Sequence, residues 1–176
     1  DMDPNARNMV LHTRWATKGS PKQNANNHPI DVAGIVGVHN GMCWNDDYLF
    51  DQIGPEKRIA EVDSEAIFAT LLHSTDKITE DLAKIEGSAA VAWLDSYGDP
   101  ETLHVARVSS SPLHYAFTEA GSFVFASTAQ AVLRGLRAVG LEAVGGPYAM
   151  NEGVYMRLRG GEIVSKGCFA SADRRW

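Results

Sequence analysis

The first group of residues that could do chemistry is the segment HTRWATKG at positions 12–19. Within it Arg14 offers a guanidinium, Trp15 an indole and Thr17 a hydroxyl, shortly before a turn-rich stretch that runs to Pro29. An arginine side chain can hold a carboxylate through two parallel hydrogen bonds. Taken alone, the segment is more typical of a strand in which Arg14 forms a structural ion pair and Trp15 fills the core.

The second group is the tripeptide His39-Asn40-Gly41, which follows an apolar run at 32–38. An Asn amide and a Gly backbone N–H side by side can donate hydrogen bonds to an oxygen that becomes negative during acyl transfer. The same Asn-Gly pair is also typical of a simple hairpin turn, and alone it favours the turn.

The third group is the acidic segment 61–65, with Asp63 at its centre. A carboxylate at the start of a helix can pair with the ammonium group of a substrate. Ordinary N-capping of a helix is the more common role of such a residue.

The elements that must position these groups begin with a buried strand. The run 32–38 is rich in β-branched residues and predicts a strand that ends in a tight turn at 39–41. Asn45 is predicted to cap a short helix over 46–50. Asn40 is therefore expected at the end of a strand, where catalytic loops are often attached.

Two further helices are predicted in the middle of the chain. Asp63 or Ser64 can cap the first, whose apolar side chains recur at helical spacing: Ile67, Phe68, Leu71 and Leu72. The second begins near Thr79, with Glu80 and Asp81 in its first turn, and stops at Gly87. The sequence thus predicts Asp63 at a helix start.

The second half of the chain reads as β structure. Short apolar runs separated by Gly, Pro, Asp or Ser predict consecutive antiparallel strands at 89–94, 103–107, 113–117 and 122–126. A helix with a capping box formed by Ser127 and Gln130 follows, and then a hairpin that turns at Gly160-Gly161. The pattern predicts an α+β fold of stacked sheets with helices outside.

Size and charge limit the functions that the chain can have. Its 176 residues suit a single domain, 1–176. The net charge of −6 argues against a broad nucleic-acid or anionic-membrane surface. No apolar stretch approaches the roughly 20 residues that span a bilayer. We expect neither nucleic acid nor a membrane as a partner.

Cofactor chemistry finds no support in the sequence. The six histidines lack the spacing of a metal site, and no glycine-rich phosphate-binding motif occurs. Cys43 and Cys168 offer neither a CxxC pair nor a disulfide framework, which suits a reducing compartment. We expect no metal, no cofactor and a cytoplasmic location.

Taken together and in this order, the motifs resemble the glutaminase domain of class II glutamine amidotransferases, which belong to the N-terminal-nucleophile hydrolases. The resemblance is to the branch that contains glucosamine-phosphate synthase and glutamate synthase. The matching stretches cover most of residues 10–133; they are HTRWATKG, NANNHP, GVHNGM, VDSEAIFATLL, EGSAAVAWLD, ARVSSSPL and FVFASTAQAV. Three site-forming motifs in the family's order favour the functional interpretation of all three groups.

The resemblance implies a role for each site residue. Arg14 would bind the α-carboxylate of L-glutamine and Asp63 its α-ammonium, while Asn40 and Gly41 would form the oxyanion hole. Two further residues, Trp15 and Thr17, would belong to the loop that closes over the amide. The family's fold is a four-layer αββα sandwich of two antiparallel sheets.

One departure concerns the nucleophile. The family uses an N-terminal cysteine followed by a first strand, whereas this sequence begins at Asp1 and reaches the HTRWAT segment after eleven residues. We therefore expect an N-terminally incomplete domain that lacks the first strand and is inactive alone. Lys18, where relatives often carry His, and the longer NANNHP segment are further departures.

Two hypotheses follow from this departure. In the favoured one, the chain is the greater part of a glutaminase that releases ammonia from glutamine for an acceptor on a separate synthase subunit. In the other, the protein is a catalytically dead binding or assembly module that uses the same scaffold. An intact set of Arg14, Asn40, Gly41 and Asp63 favours the enzyme.

Overall fold

The computed structural model describes residues 6–13, 18–54, 58–74 and 76–172. Four α-helices lie in these ranges: α1 (Asp46–Ile53), α2 (Asp63–Leu72), α3 (Ile78–Leu82) and α4 (Ala129–Ala138). The strands are β1 (Ile30–Val32), β2 (Ile35–Cys43), β3 (Gly87–Asp95), β4 (Asp99–Arg107), β5 (His114–Phe117), β6 (Phe123–Ala126), β7 (Tyr148–Ala149), β8 (Val154–Arg159) and β9 (Glu162–Cys168). A short 3-10 helix covers Asn24–Asn26.

The strands form two antiparallel sheets. One has six strands in the order β1-β2-β3-β4-β8-β9, and the other has three in the order β6-β5-β7. Helices α1 and α2 pack on one face of the large sheet, the small sheet packs on its other face, and α4 covers the small sheet from outside. The layers therefore follow the order α, β, β, α, which confirms the fold class predicted from the sequence.

Strand β3 contributes side chains to two apolar cores, one on each face of the large sheet. Its odd-numbered residues Ala89, Val91 and Trp93 pack with the helices. The even-numbered Ala90 and Ala92 pack toward the small sheet. Successive side chains of a strand point to opposite faces, so a strand covered on both sides is apolar throughout.

Helix α2 lies close to β2 because β2 carries a glycine at the crossing. A side chain at Gly37 would overlap the ring of Phe68, which is fully buried on α2. The absence of a β-carbon lets the helix approach the strand directly. This contact fixes the height of α2 above the strand that carries Asn40.

The predicted turn at residues 39–41 is wrong. Residues 30–32 and 35–43 form two strands, and the chain reverses at Ala33-Gly34, both of which have positive φ. Strand β2 then continues through Asn40 and Gly41 to Cys43, because β3 pairs with it along its whole length. Long-range pairing overrides the local turn preference of Asn-Gly.

The second half of the chain departs from a simple meander. The predicted strands all form, and β3 pairs with β4 as expected. Strand β4 then pairs with β8, and the intervening β5 and β6 belong to the small sheet. The predicted hairpin at Gly160-Gly161 is confirmed, with both glycines at positive φ.

Helix starts are predicted more accurately than their caps. Helix α4 is capped by Thr128, whose Oγ1 accepts from the N–H of Ala131, one residue later than the predicted box. The side chain of Asn45 does not cap α1; it bonds instead to the backbone of Lys84 and Glu86. Helix α3 also ends at Leu82, well before the predicted stop.

Candidate active site

Asn40 lies on the face of β2 that looks toward the small sheet, opposite Ala90 of β3. It lines a cavity of about 290 Å³ between the two sheets. The other described residues around this cavity are mainly apolar, and they include Val38, Ala92, Leu113 and Phe125. Thr13, the residue before Arg14, also lines it. The Asn40 amide thus shares the cavity wall with three other polar residues, His12, Thr13 and Ser127.

Gly41 occupies a position that only glycine suits. Its φ is 138°, and a β-carbon there would overlap the carbonyl oxygen of Ser88 and lie 2.8 Å from Oγ of Ser111. The hydroxyls of Ser88 and Ser111 are hydrogen-bonded to each other. The backbone around Gly41 is therefore set by its contact with the start of β3.

Asp63 is the first residue of α2 and is buried. Its Oδ2 accepts a hydrogen bond from the backbone N–H of Cys43, at the end of β2, at 2.6 Å. No described residue donates a hydrogen bond to its Oδ1. The predicted helix start at Asp63 is confirmed. Its side chain, however, bonds to strand β2 and does not form the capping bond that the sequence also allowed.

His39 is buried on the helix face of β2. Its Nδ1 lies 3.0 Å from Oγ of Ser64 and its Nε2 lies 3.4 Å from the carbonyl oxygen of Ser88. Burial lowers the pKa of His39, and the nearby Asp63 carboxylate only partly opposes this effect. The ring is therefore held neutral between α2 and β3.

Cys43 is unsuited to nucleophilic attack. Its side chain is buried, and burial raises the pKa of the thiol to about 12. The thiol donates to Oδ1 of Asn45 at 3.2 Å. At neutral pH the group is a thiol and not a thiolate, and the thiolate is the reactive form.

Three of the predicted substrate-binding residues, Arg14, Trp15 and Thr17, lie outside the described residues. The next residue along the chain, Lys18, forms an ion pair with Asp46 at the start of α1. Arg58 binds the same carboxylate at 2.7 Å. Burial opposes ionisation of Asp46, but the two cations outweigh it and lower its pKa.

The structure joins part of the predicted site through β2. Asn40 and Gly41 are neighbours on this strand, and Asp63 contacts it at Cys43. Of the described residues, Asn40 lines the cavity between the sheets and Asp63 does not. The sequence does not predict the contact of His39 with Ser64, because the two residues are 25 positions apart in the chain.

A metal-binding cluster and a membrane-spanning helix are both absent from the described ranges. These ranges contain no group of three or more His, Cys, Asp or Glu side chains that could hold a metal ion. Among the same residues, no helix is both long and apolar enough to cross a membrane.

Comparison with known proteins gives the family. Residues 12–134 match the model of a glutamine amidotransferase domain, which is more than half of the chain. The chain is 34% identical over 133 residues to glutamine–fructose-6-phosphate aminotransferase (isomerizing) of Listeria innocua, covering 71% of this chain and 22% of the relative. The corresponding protein of Tropheryma whipplei strain Twist is 33% identical over 126 residues, or 65% of this chain and 20% of the relative.

Solved structures share the fold. Glutamine phosphoribosylpyrophosphate amidotransferase of B. subtilis, complexed with ADP and GMP, superposes with a TM-score of 0.67 at 20% identity, covering 90% of this chain and 34% of that chain. An allosteric regulatory enzyme of purine biosynthesis gives a TM-score of 0.60 at 19% identity, covering 84% and 31%. The chain thus spans about a fifth of the curated relatives. With its matching family model, layer order and motifs, the chain belongs to the glutamine amidotransferase domain family.

Proposed function

We propose that this domain binds L-glutamine and releases its side-chain amide nitrogen as ammonia, leaving glutamate. Asn40 and the N–H of Gly41 stabilise the negative oxygen that forms when the amide carbon is attacked. Asp63 binds the α-ammonium and Arg14 the α-carboxylate, so the two charges of the amino acid are both neutralised.

The observation that carries this proposal is the tie between Asp63 and β2. Gly41 and Cys43 are two residues apart, which corresponds to about 7 Å along a strand. Oδ2 of Asp63 is bonded to the N–H of Cys43, and no described residue donates to its Oδ1, which we assign to the ammonium. Glutamine measures about 5 Å from its amide carbon to its α-nitrogen. The spacing therefore suits one molecule that reaches from the oxyanion donors to the carboxylate.

The segment with Arg14, Trp15 and Thr17 has described neighbours on both sides. Thr13 lines the cavity that Asn40 reaches. Lys18 is fixed to α1 by its ion pair with Asp46. These two anchors support our assignment of Arg14 to the carboxylate and of Trp15 and Thr17 to the substrate-covering segment.

The attacking thiol is neither of the chain's two cysteines. Cys43 is buried with a high pKa. Cys168 ends β9, which is separated from β2 by three strands, or about 19 Å across the sheet. We propose that the nucleophile, an N-terminal cysteine in this family, comes from outside residues 1–176.

The ammonia acceptor also lies outside residues 1–176 in our proposal. The curated relatives are named as aminotransferases of fructose-6-phosphate, and the matching region is a fifth of their length. The domain would therefore serve an acceptor-binding unit, either on a separate synthase subunit or in the same polypeptide, as in these relatives.

Calorimetry with three ligands tests the binding mode. We expect L-glutamine to bind to the 176-residue chain, and glutaramate, which lacks the α-ammonium, to bind at least about tenfold more weakly because Asp63 is left unpaired. D-Glutamine serves as the matched control, because it carries the same ammonium and carboxylate in the mirror-image arrangement. Equal affinity for L-glutamine and glutaramate would contradict the role of Asp63. A folded chain that binds no L-glutamine would refute the proposed function.

A further inference from the structure

We infer that His39 is a positioning residue that holds the helix of Asp63 in register with the strand of Asn40 and Gly41. This inference rests on the proposed function. It concerns a side chain that touches no substrate in our assignment, because both nitrogens of its ring are bonded within the protein, to Ser64 and Ser88.

The hydrogen-bond partners fix the protonation pattern of the ring. The carbonyl oxygen of Ser88 can only accept, so Nε2 of His39 carries the proton and donates to it at 3.4 Å. Nδ1 is then an acceptor, and the hydroxyl of Ser64 donates to it at 3.0 Å. A neutral ring with this tautomer satisfies both neighbours.

The two contacts lead to the two halves of the proposed site. Ser64 follows Asp63 on α2, so the bond from Ser64 to His39 adds a second tie between α2 and β2 beside the one from Cys43 to Asp63. The carbonyl of Ser88 packs directly against Gly41. One imidazole therefore joins Ser64, the neighbour of the carboxylate that would bind the ammonium, to Ser88, whose carbonyl packs against the glycine that would donate to the oxyanion.

Burial makes this bridge effective. His39 and Ser64 are each about 3% exposed. A hydrogen bond between buried groups leaves an unpaired polar atom when one partner is removed, and the site relaxes to satisfy that atom. Small movements of α2 would shift Asp63 against the strand, and an ammonium contact is sensitive to such shifts.

Two substitutions separate the contacts, because the amides of Asn and Gln copy different nitrogens of the ring. In His39→Asn the side-chain amide takes the place of Nδ1 and can still accept from Ser64. In His39→Gln it takes the place of Nε2 and can still donate to Ser88. The variant Ser64→Ala removes the hydroxyl alone. Thr70→Val is the matched control, since among the described residues its buried hydroxyl on α2 bonds only to the carbonyl oxygen of Ala66, within the same helix.

The measurement is steady-state release of glutamate by the complete protein, with thermal melting of each variant. We expect His39→Gln and Ser64→Ala to raise KM for L-glutamine roughly three- to tenfold, the worth of one hydrogen bond, with little change in kcat. His39→Asn should keep a KM close to that of the parent, and it should lower kcat because the contact beneath Gly41 is lost. Thr70→Val should leave both constants unchanged.

Each result supports or overturns the inference. A parent protein that releases no glutamate refutes the proposed function, and the inference with it. If the parent is active, an unchanged KM in Ser64→Ala and His39→Gln overturns the inference alone. So does a rise in KM for His39→Asn that equals the rise for His39→Gln, because a general loss of packing would then explain both. If a His39 variant fails to fold, Ser64→Ala decides.

Discussion

The carboxylate of Asp63 accepts the backbone N–H of Cys43 at 2.6 Å, so the start of α2 is fastened to β2 three residues beyond Asn40. A helix and a strand separated by some twenty residues of chain are thereby held at one point. The proposed ammonium site and the proposed oxyanion hole therefore lie on the two elements that this hydrogen bond joins.

Replacing Asp63 by Asn tests the charge without removing the tie to β2. The amide oxygen can still accept from Cys43, so we expect a melting temperature close to that of the parent. Glutamine affinity should fall about ten- to hundredfold, because the ammonium loses a charged partner. Calorimetry checks the affinity and thermal melting the fold. Parental affinity in the folded variant would remove Asp63 from the site.

Replacing Gly41 by Ala should unfold or severely destabilise the protein. The new β-carbon would overlap the carbonyl of Ser88, and φ at this position is 138°. Gly135→Ala is the control, since nothing lies near that glycine in α4 and helix propensity predicts a gain of about 0.5–1 kcal/mol. Urea unfolding measures both. A Gly41→Ala protein as stable as the parent would contradict the described packing.

Replacing Asn40 by Ala should reduce turnover while leaving binding largely intact. Loss of one oxyanion donor typically costs on the order of 10²-fold in kcat. Glutamate release by the complete protein measures kcat, and glutamine titration measures binding. Full activity in this variant would remove Asn40 from the oxyanion hole.

Acid should destabilise the fold through His104. This residue is 8% exposed, burial lowers its pKa to about 4, and its Nδ1 lies 2.7 Å from the hydroxyl of Tyr155. In the unfolded chain this imidazole takes up a proton near pH 6.5, whereas in the folded chain it does so only near pH 4. Its contribution to the free energy of unfolding is therefore fully present above pH 6.5 and is lost as the pH falls toward 4. We expect a loss of about 2 kcal/mol between pH 7 and pH 5 from this residue.

Urea unfolding at the two pH values checks this loss. The variant His104→Gln has no imidazole to protonate there, so its stability should depend less on pH in the same range. An equal pH dependence in the parent and the variant would assign the effect to other groups.

The sequence indicates the elements of the fold better than their connections. The apolar run that predicts β3 and the glycine pair that predicts the β8–β9 hairpin are local features, and both predictions are confirmed. The path of β2 through Asn40-Gly41 is not local, since it depends on pairing with β3 some fifty residues later. The insertion of β8 beside β4 likewise follows from tertiary packing.

The same distinction holds for the site. The residue types of Asn40, Gly41 and Asp63 indicate the proposed chemistry only through the resemblance of the motifs, in their order, to the family, since each motif alone is more typical of a turn or a helix cap. The orientation of Asp63 comes from a contact with Cys43, and the bridge of His39 from a contact with Ser64. Such contacts join distant parts of the chain, and no spacing in the sequence reports them.

Release of labelled ammonia tests the central claim most directly. The complete protein is incubated with L-glutamine that carries ¹⁵N in its side-chain amide, and glutamate and ammonia are measured together. We predict equimolar glutamate and ¹⁵N-ammonia, with both strongly reduced in Asn40→Ala. A folded protein that binds L-glutamine and releases neither product would contradict the account and identify a binding module in its place.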